Sequence, residues 1–154
     1  MLDSLVIKGK NYVGGLAGVD KGAVLDEIYV DSDVSAQNNV GAIVGQKNGG
    51  SIMRSVSQGS VLGTENVGGI AGSLNKVTVA DCFSNATISG VKNVGGFVGV
   101  TTSAAVKNVY AAGNVKAISK FGGVAGDVVT STYTSAYYWS FINFNFPIFK
   151  KFSS

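Results

Sequence analysis

Val13-Gly14-Gly15-Leu16-Ala17-Gly18 returns every 27 residues, as Val40-Gly41-Ala42-Ile43-Val44-Gly45, Val67-Gly68-Gly69-Ile70-Ala71-Gly72, Val94-Gly95-Gly96-Phe97-Val98-Gly99 and Phe121-Gly122-Gly123-Val124-Ala125-Gly126. No step contains an insertion or a deletion. A fixed period of this kind marks a repeat architecture, in which each unit covers the open face of its neighbour. Further columns keep the phase. Leu25, Ile52, Val79, Val106 and Tyr133 are apolar, and Tyr29, Val56, Phe83, Tyr110 and Tyr137 are aromatic or β-branched. Val34, Val61, Ile88, Val115 and Ile142 are all β-branched, with small residues two positions on at Ala36, Gly63, Gly90 and Ala117. Ile7 and Gly9 fit those last two columns one period earlier, so the sequence opens partway through a unit.

A helical unit is excluded by composition. Glycine costs about 1 kcal/mol against alanine inside a helix, and every unit carries several. The apolar columns hold Val, Ile, Tyr and Phe, which suit a pleated surface, and the runs between turn residues are short. If one unit is one coil, residue i lies beside residue i+27 in a parallel ladder, and five coils stack to a rod roughly 24 Å long. The reading is therefore an all-β, right-handed parallel β-solenoid (β-helix) of five 27-residue coils. Its divisions are a partial N-terminal coil at 1–12, the five-repeat body at 13–138 and an aromatic cap or tail at 139–154. The columns of Val13, Leu16, Leu25, Ile28 and Val34 are the expected core. Strict alternation would place only one of Leu16 and Ala17 inside, and likewise only one of Ile28 and Tyr29. The Tyr29 column is either core or an exposed ladder.

The units resemble the GLUG repeat, named for its Gly-Leu-hydrophobic-Gly core, here Gly15-Leu16-Ala17-Gly18 and its four successors. The downstream part of the family pattern resembles Val109-Tyr110-Ala111-Ala112-Gly113-Asn114-Val115. Ala42 departs at one motif glycine, and the tail after Trp139 lies outside the pattern. The resemblance implies a bacterial cell-surface or secreted parent protein, an adhesin or the non-catalytic part of a streptococcal IgA-cleaving zinc metallopeptidase. It implies an extracellular location, and it supplies no catalytic residues.

The residues themselves argue against catalysis within this chain. It has no His, which removes Ser-His-Asp, Cys-His and His-Glu-x-x-His chemistry together. Cys82 falls in a mostly apolar column (Ile28, Ser55, Val109, Ala136) and reads as a buried small hydrophobe. Asp26, Glu27, Asp31 and Asp33 form an acidic cluster that reads as a solvated edge rather than a calcium site. Glu27, Arg54, Asp81, Asn108 and Ser135 share a phase and read as a surface ion-pair ladder, not as the paired carboxylates of a polysaccharide-active β-helix. No metal and no cofactor is expected.

Net charge is +3, and there is no Lys/Arg run beyond Lys150-Lys151, so no nucleic-acid partner is expected. Six acids lie within residues 1–33 and only three after them, so an acidic end and a basic end could meet in head-to-tail stacks. No run of about 18 apolar residues is present, so no membrane span is expected. Met1-Leu2-Asp3-Ser4 carries no signal-peptide pattern.

Two rival roles follow. One is a rigid module between flanking domains of the same polypeptide. The other is a binding segment for a host glycoprotein or glycan, with Tyr29, Tyr110, Tyr137, Phe144 and Phe146 as its candidate surface. Phe144 and Pro147 break the repeat, which suits a terminal cap or an aromatic docking strand, with 148–154 expected to fray.

Overall fold

A computed structural model of the chain describes residues 2–140 and 148–152. The described residues are strands, turns and bends, without helix. The chain enters on β1 (Leu2–Lys8) and runs through a first coil of β2 (Asn11–Gly14), β3 (Ala17–Asp20), β4 (Val24–Asp26) and β5 (Tyr29–Ser35). The second coil repeats this as β6 (Asn38–Gly41), β7 (Val44–Asn48), β8 (Ser51–Met53) and β9 (Val56–Leu62). In the third, β10 (Glu65–Gly68) and β11 (Ala71–Asn75) precede one long strand, β12 (Thr78–Ser89). The fourth comprises β13 (Lys92–Gly95), β14 (Val98–Thr102), β15 (Ala105–Ala111) and β16 (Val115–Lys116). The fifth comprises β17 (Ser119–Gly122), β18 (Ala125–Val129) and β19 (Thr132–Ser140), and β20 (Ile148–Phe152) follows.

These strands form three sheets running along the stack. One follows the order β1-β5-β9-β12-β15-β19-β20, with β4, β8 and β16 beside it. The second is β2-β6-β10-β13-β17 and the third is β3-β7-β11-β14-β18. The pairing between coils is parallel with a register of 27, as in Val13↔Val40, Val67↔Val94 and Val79↔Val106, apart from a shift on β1, where Leu2 pairs with Val30. The expected β-solenoid is therefore the fold.

Both residues of the adjacent pair Leu16/Ala17 turn inward. Ile43, Ile70, Phe97 and Val124 are buried, and so are Val44, Ala71, Val98 and Ala125 in the next column. Alternation fails there because residues 15 and 16 form the bend between the second and third sheets, so the strand directions change between the two positions. Alternation holds across Ile28–Val30, where Ser55, Cys82 and Val109 point inward, as do Ser57, Ser84 and Ala111. The Tyr29 column points outward between them.

Two glycine columns set the thickness of the coil. A Cβ on Gly68 would lie 2.3 Å from the Ala71 carbonyl oxygen and 2.5 Å from Val98 Cα. One on Gly72 would lie 2.4 Å from the Val40 nitrogen. Both clashes are with backbone, so the strands on either side of the bend approach closely and a side chain has no space. Neither column has a left-handed backbone. The left-handed positions fall elsewhere, in the columns of Tyr12, Gly22 and Glu27 and at the single glycines Gly50 and Gly59. Thirteen non-glycine residues with φ between 45° and 56° occupy those columns and no others, among the described residues. In the first, Asn66 Nδ2 donates to Asn39 Oδ1 (3.0 Å) and Asn93 Nδ2 to Asn66 Oδ1 (2.8 Å), an amide ladder in a conformation Asn tolerates well.

After five coils the direction of pairing changes. β20 runs antiparallel to β19, from Ala136↔Phe152 to Ser140↔Ile148. Residues 148–152 are thus a strand on the edge of the first sheet, not the frayed tail expected of them.

A whole coil is therefore a removable unit. Deleting residues 67–93 joins Asn66 to Val94 in phase and is expected to leave a β-rich, cooperatively melting protein. Deleting only 67–80 puts every later column out of register and is expected to abolish the cooperative melt. Circular dichroism on the two variants checks this.

Candidate functional site

The candidate surface lies on the outer face of the first sheet. Tyr29, Val56, Phe83, Tyr110 and Tyr137 occupy one register line across five successive coils. All five are half-buried. The Phe83 and Tyr110 rings stack with centroids 5.4 Å apart and an interplanar angle of 15°. A parallel ladder places like side chains about 4.8 Å apart. The Phe83 and Tyr110 rings thus turn their faces to one another. Val56 interrupts the column between Tyr29 and Phe83. The structure thus brings Tyr29, Tyr110 and Tyr137 into one strip. Phe144 and Phe146 lie outside the described residues.

The line beside the aromatic strip is polar. Gln58 Nε2 donates to Asp31 Oδ2 (2.8 Å), and Ser60 Oγ donates to Asp33 Oδ1 (2.7 Å). Arg54 pairs with Asp26 and also with Glu27, at 3.6 Å in the latter case. The acidic residues of the first coil are therefore each answered by a residue of the second. The expected Glu27-Arg54-Asp81 ladder is split, since Asp81 Oδ1 instead accepts from Asn108 Nδ2 (2.9 Å). Arg54 is engaged by the two acids of the first coil, and all five members of the column, Glu27, Arg54, Asp81, Asn108 and Ser135, have positive φ. Among the described residues, no three of His, Cys, Asp and Glu gather as a metal site would require. No helix in the described part is long and apolar enough to cross a membrane.

Polar groups also lie inside the coil. Lys47 is fully buried, and its Nζ pairs with Asp20 and donates to the Ala23 carbonyl oxygen (2.7 Å). The Ala23 N–H in turn donates to Asp20 Oδ1 (3.2 Å). Sequence reasoning missed this pair. Its signal was the column Asp20, Lys47, Leu74, Thr101, Val128, whose later members are apolar or nearly so. Ser57 Oγ donates to the Gly69 carbonyl oxygen (2.7 Å) and lies 3.1 Å from Ser84 Oγ. Cys82 is buried, with Sγ donating to the Ala80 carbonyl oxygen (3.2 Å). Burial pushes its thiol up to about 11, with a smaller contribution from the Asp81 carboxylate. A thiol so disposed is a poor nucleophile at neutral pH.

The GLUG motif matches residues 90–116, one complete 27-residue period containing Gly96-Phe97-Val98-Gly99 and Val109 to Val115. No curated protein matches the chain. The matched segment starts in the turn after β12 and ends on β16, so the motif corresponds to one coil of the solenoid.

Two outcomes follow from the buried polar groups. Asp20→Ala leaves the Lys47 ammonium buried without its counter-charge and is expected to cost about 3–5 kcal/mol. Replacing both residues by Leu and Met is expected to restore most of that, as read by denaturant melts. The raised Cys82 pKa means that the neutral thiol favours the fold. This stabilisation is complete below the ordinary thiol pKa of 9.0 and is lost as pH rises toward about 11. Cys82→Ala is expected to flatten the stability profile between pH 9 and 11. Tyr133, also raised by burial, titrates in both proteins and cancels from the comparison.

Proposed function

We propose that the chain is a non-catalytic, rigid repeat module of a larger bacterial cell-surface or secreted protein, and that it holds the flanking domains of its polypeptide at a set separation. The observation that carries this reading is the uniform register of 27 across five coils. Length then grows by about 4.8 Å per coil, and rigidity comes from continuous hydrogen-bonded sheets. The outer aromatic strip supports the same reading. The Phe83 and Tyr110 rings stack face to face, which ties two coils together and closes those two faces to a ligand. With no His in the chain and a poorly nucleophilic Cys82, no catalytic set supports an enzyme reading. The surface location rests on the GLUG resemblance alone.

A second reading treats the strip as a binding surface for a host glycoprotein or glycan. The observation favouring it is the outward placement of Tyr29, Tyr110 and Tyr137 beside amide and carboxylate groups. One experiment separates the two. Reporter domains are fused to both ends, and their separation is measured in the full chain and after removal of residues 67–93. The spacer reading expects a shortening of about 4.8 Å. Saturable retention on a glycan or glycoprotein array that is lost in a Tyr29→Ala/Tyr110→Ala/Tyr137→Ala variant would favour the binding reading instead.

A further inference from the structure

The outer face of the first sheet carries its charges unevenly along the stack. Asp26, Met53, Ala80 and Lys107 share one register line, so an acid of the first coil and a base of the fourth stand three coils apart on it. Glu27, Arg54, Asp81 and Asn108 follow beside that line at the 27-residue spacing. Arg54, Asp81 and Lys107 are exposed. Among the described residues Lys107 makes no ion pair. The aromatic line runs next to these charges, half-buried from Tyr29 to Tyr110.

We propose that this face binds the same face of a second copy, with the two stacks antiparallel about a twofold axis that runs along the strands between the second and third coils. Such an axis sets each register line against itself and reverses the order of the coils. The first coil then faces the fourth, and the second faces the third. Asp26 meets Lys107 of the second copy, and Arg54 meets Asp81 of the second copy. Each contact is made twice, so the patch is self-complementary, as a twofold interface requires. The aromatic line supplies the apolar centre, with Tyr29 against Tyr110 and Val56 against Phe83, interdigitating as between two packed sheets.

Charge selects this orientation. No like charges face each other along any line of these four coils. An axis running along the stack would instead set the acids of the first coil against one another, which is destabilising. The area is also sufficient. Four coils at about 4.8 Å, and the twelve residues of β12 at about 3.3 Å each, make a face of roughly 750 Å², close to the about 800 Å² per partner of a standard stable interface. Coils added at either end of the stack would leave these four rows unchanged. The paired modules would join two polypeptides side by side.

Sedimentation of the full chain is expected to show a concentration-dependent species of twice the chain mass. Lys107→Glu and Asp26→Lys each place like charges opposite one another twice, and each is expected to weaken self-association at least about tenfold. Mixing the two variants makes both contacts opposite in charge again and is expected to bring the dimer back. Lys107→Glu is an exposed change, and its circular dichroism and melting should match the parent. Asp26→Lys also loses its own Arg54 pair, so a zero-length carbodiimide cross-link between Asp26 and Lys107 in the parent dimer reads the same contact independently. Within one chain these residues stand about 14 Å apart, three coils at strand spacing, which is too far for that reagent. A chain that stays monomeric up to about 1 mM overturns the proposal. So does a dimer that Lys107→Glu does not weaken, or one that yields no such cross-link. A monomer retained on a glycan array through Tyr29 and Tyr110 overturns it too, by assigning the face to a carbohydrate.

Discussion

Each coil of this protein is hydrogen-bonded to the coil above it across three faces at once, and the remaining features are consequences of that lock. A side chain cannot move to a neighbouring position without taking all three sheets out of register. Position 27 residues later must therefore carry a group of compatible size and character. The glycine columns at Gly14 and Gly18 are the strictest case, because at every member the nearest backbone atom would lie 2.1–2.5 Å from an added Cβ. Ala42 shows where the lock is looser. It replaces the motif glycine of its column and is fully buried in the core.

The same lock explains where charge is placed. In a ladder, like charges one coil apart would face each other at strand spacing, at a cost to stability. The acids of the first coil instead meet Arg54, Gln58, Ser60 and Lys47 in the second. The uneven distribution of acidic residues along the sequence is thus resolved by pairing between adjacent coils. The exposed pairs contribute little individually. The Lys47–Asp20 pair is of another kind, because it lies inside the coil and gives the first two coils an identity that the later ones lack.

Period, coil number, parallel pairing and most of the core were legible in the sequence, since a five-fold repetition averages out local exceptions. What was hidden lies at the corners. Alternation is a rule for one straight strand, and the bend at 15–16 suspends it, so Leu16 and Ala17 both face inward. The left-handed columns were hidden because Gly22, Gly49 and the asparagines mark them only in part; elsewhere Tyr, Arg, Lys and Thr hold the same backbone. There the hydrogen bonds of neighbouring coils overrule local preference. Lys47 was hidden by residue type, since the column showed its inward direction only through Leu74 and Thr101. For the candidate surface, the sequence located the aromatic line but not which way it faced. Inside and outside differ by one residue beside Ile28, and both Ile28 and Tyr29 are large and apolar.

The reversal at β20 has a consequence of its own. A stack of parallel strands is a template that can copy itself without limit, because every new layer presents the same sequence of donors and acceptors as the last. An antiparallel strand presents a different spacing of those groups on its outer side. The first sheet therefore changes polarity at β20. A layer arriving there in the repeat's own direction would pair antiparallel with β20, whereas the ladders between the coils are parallel.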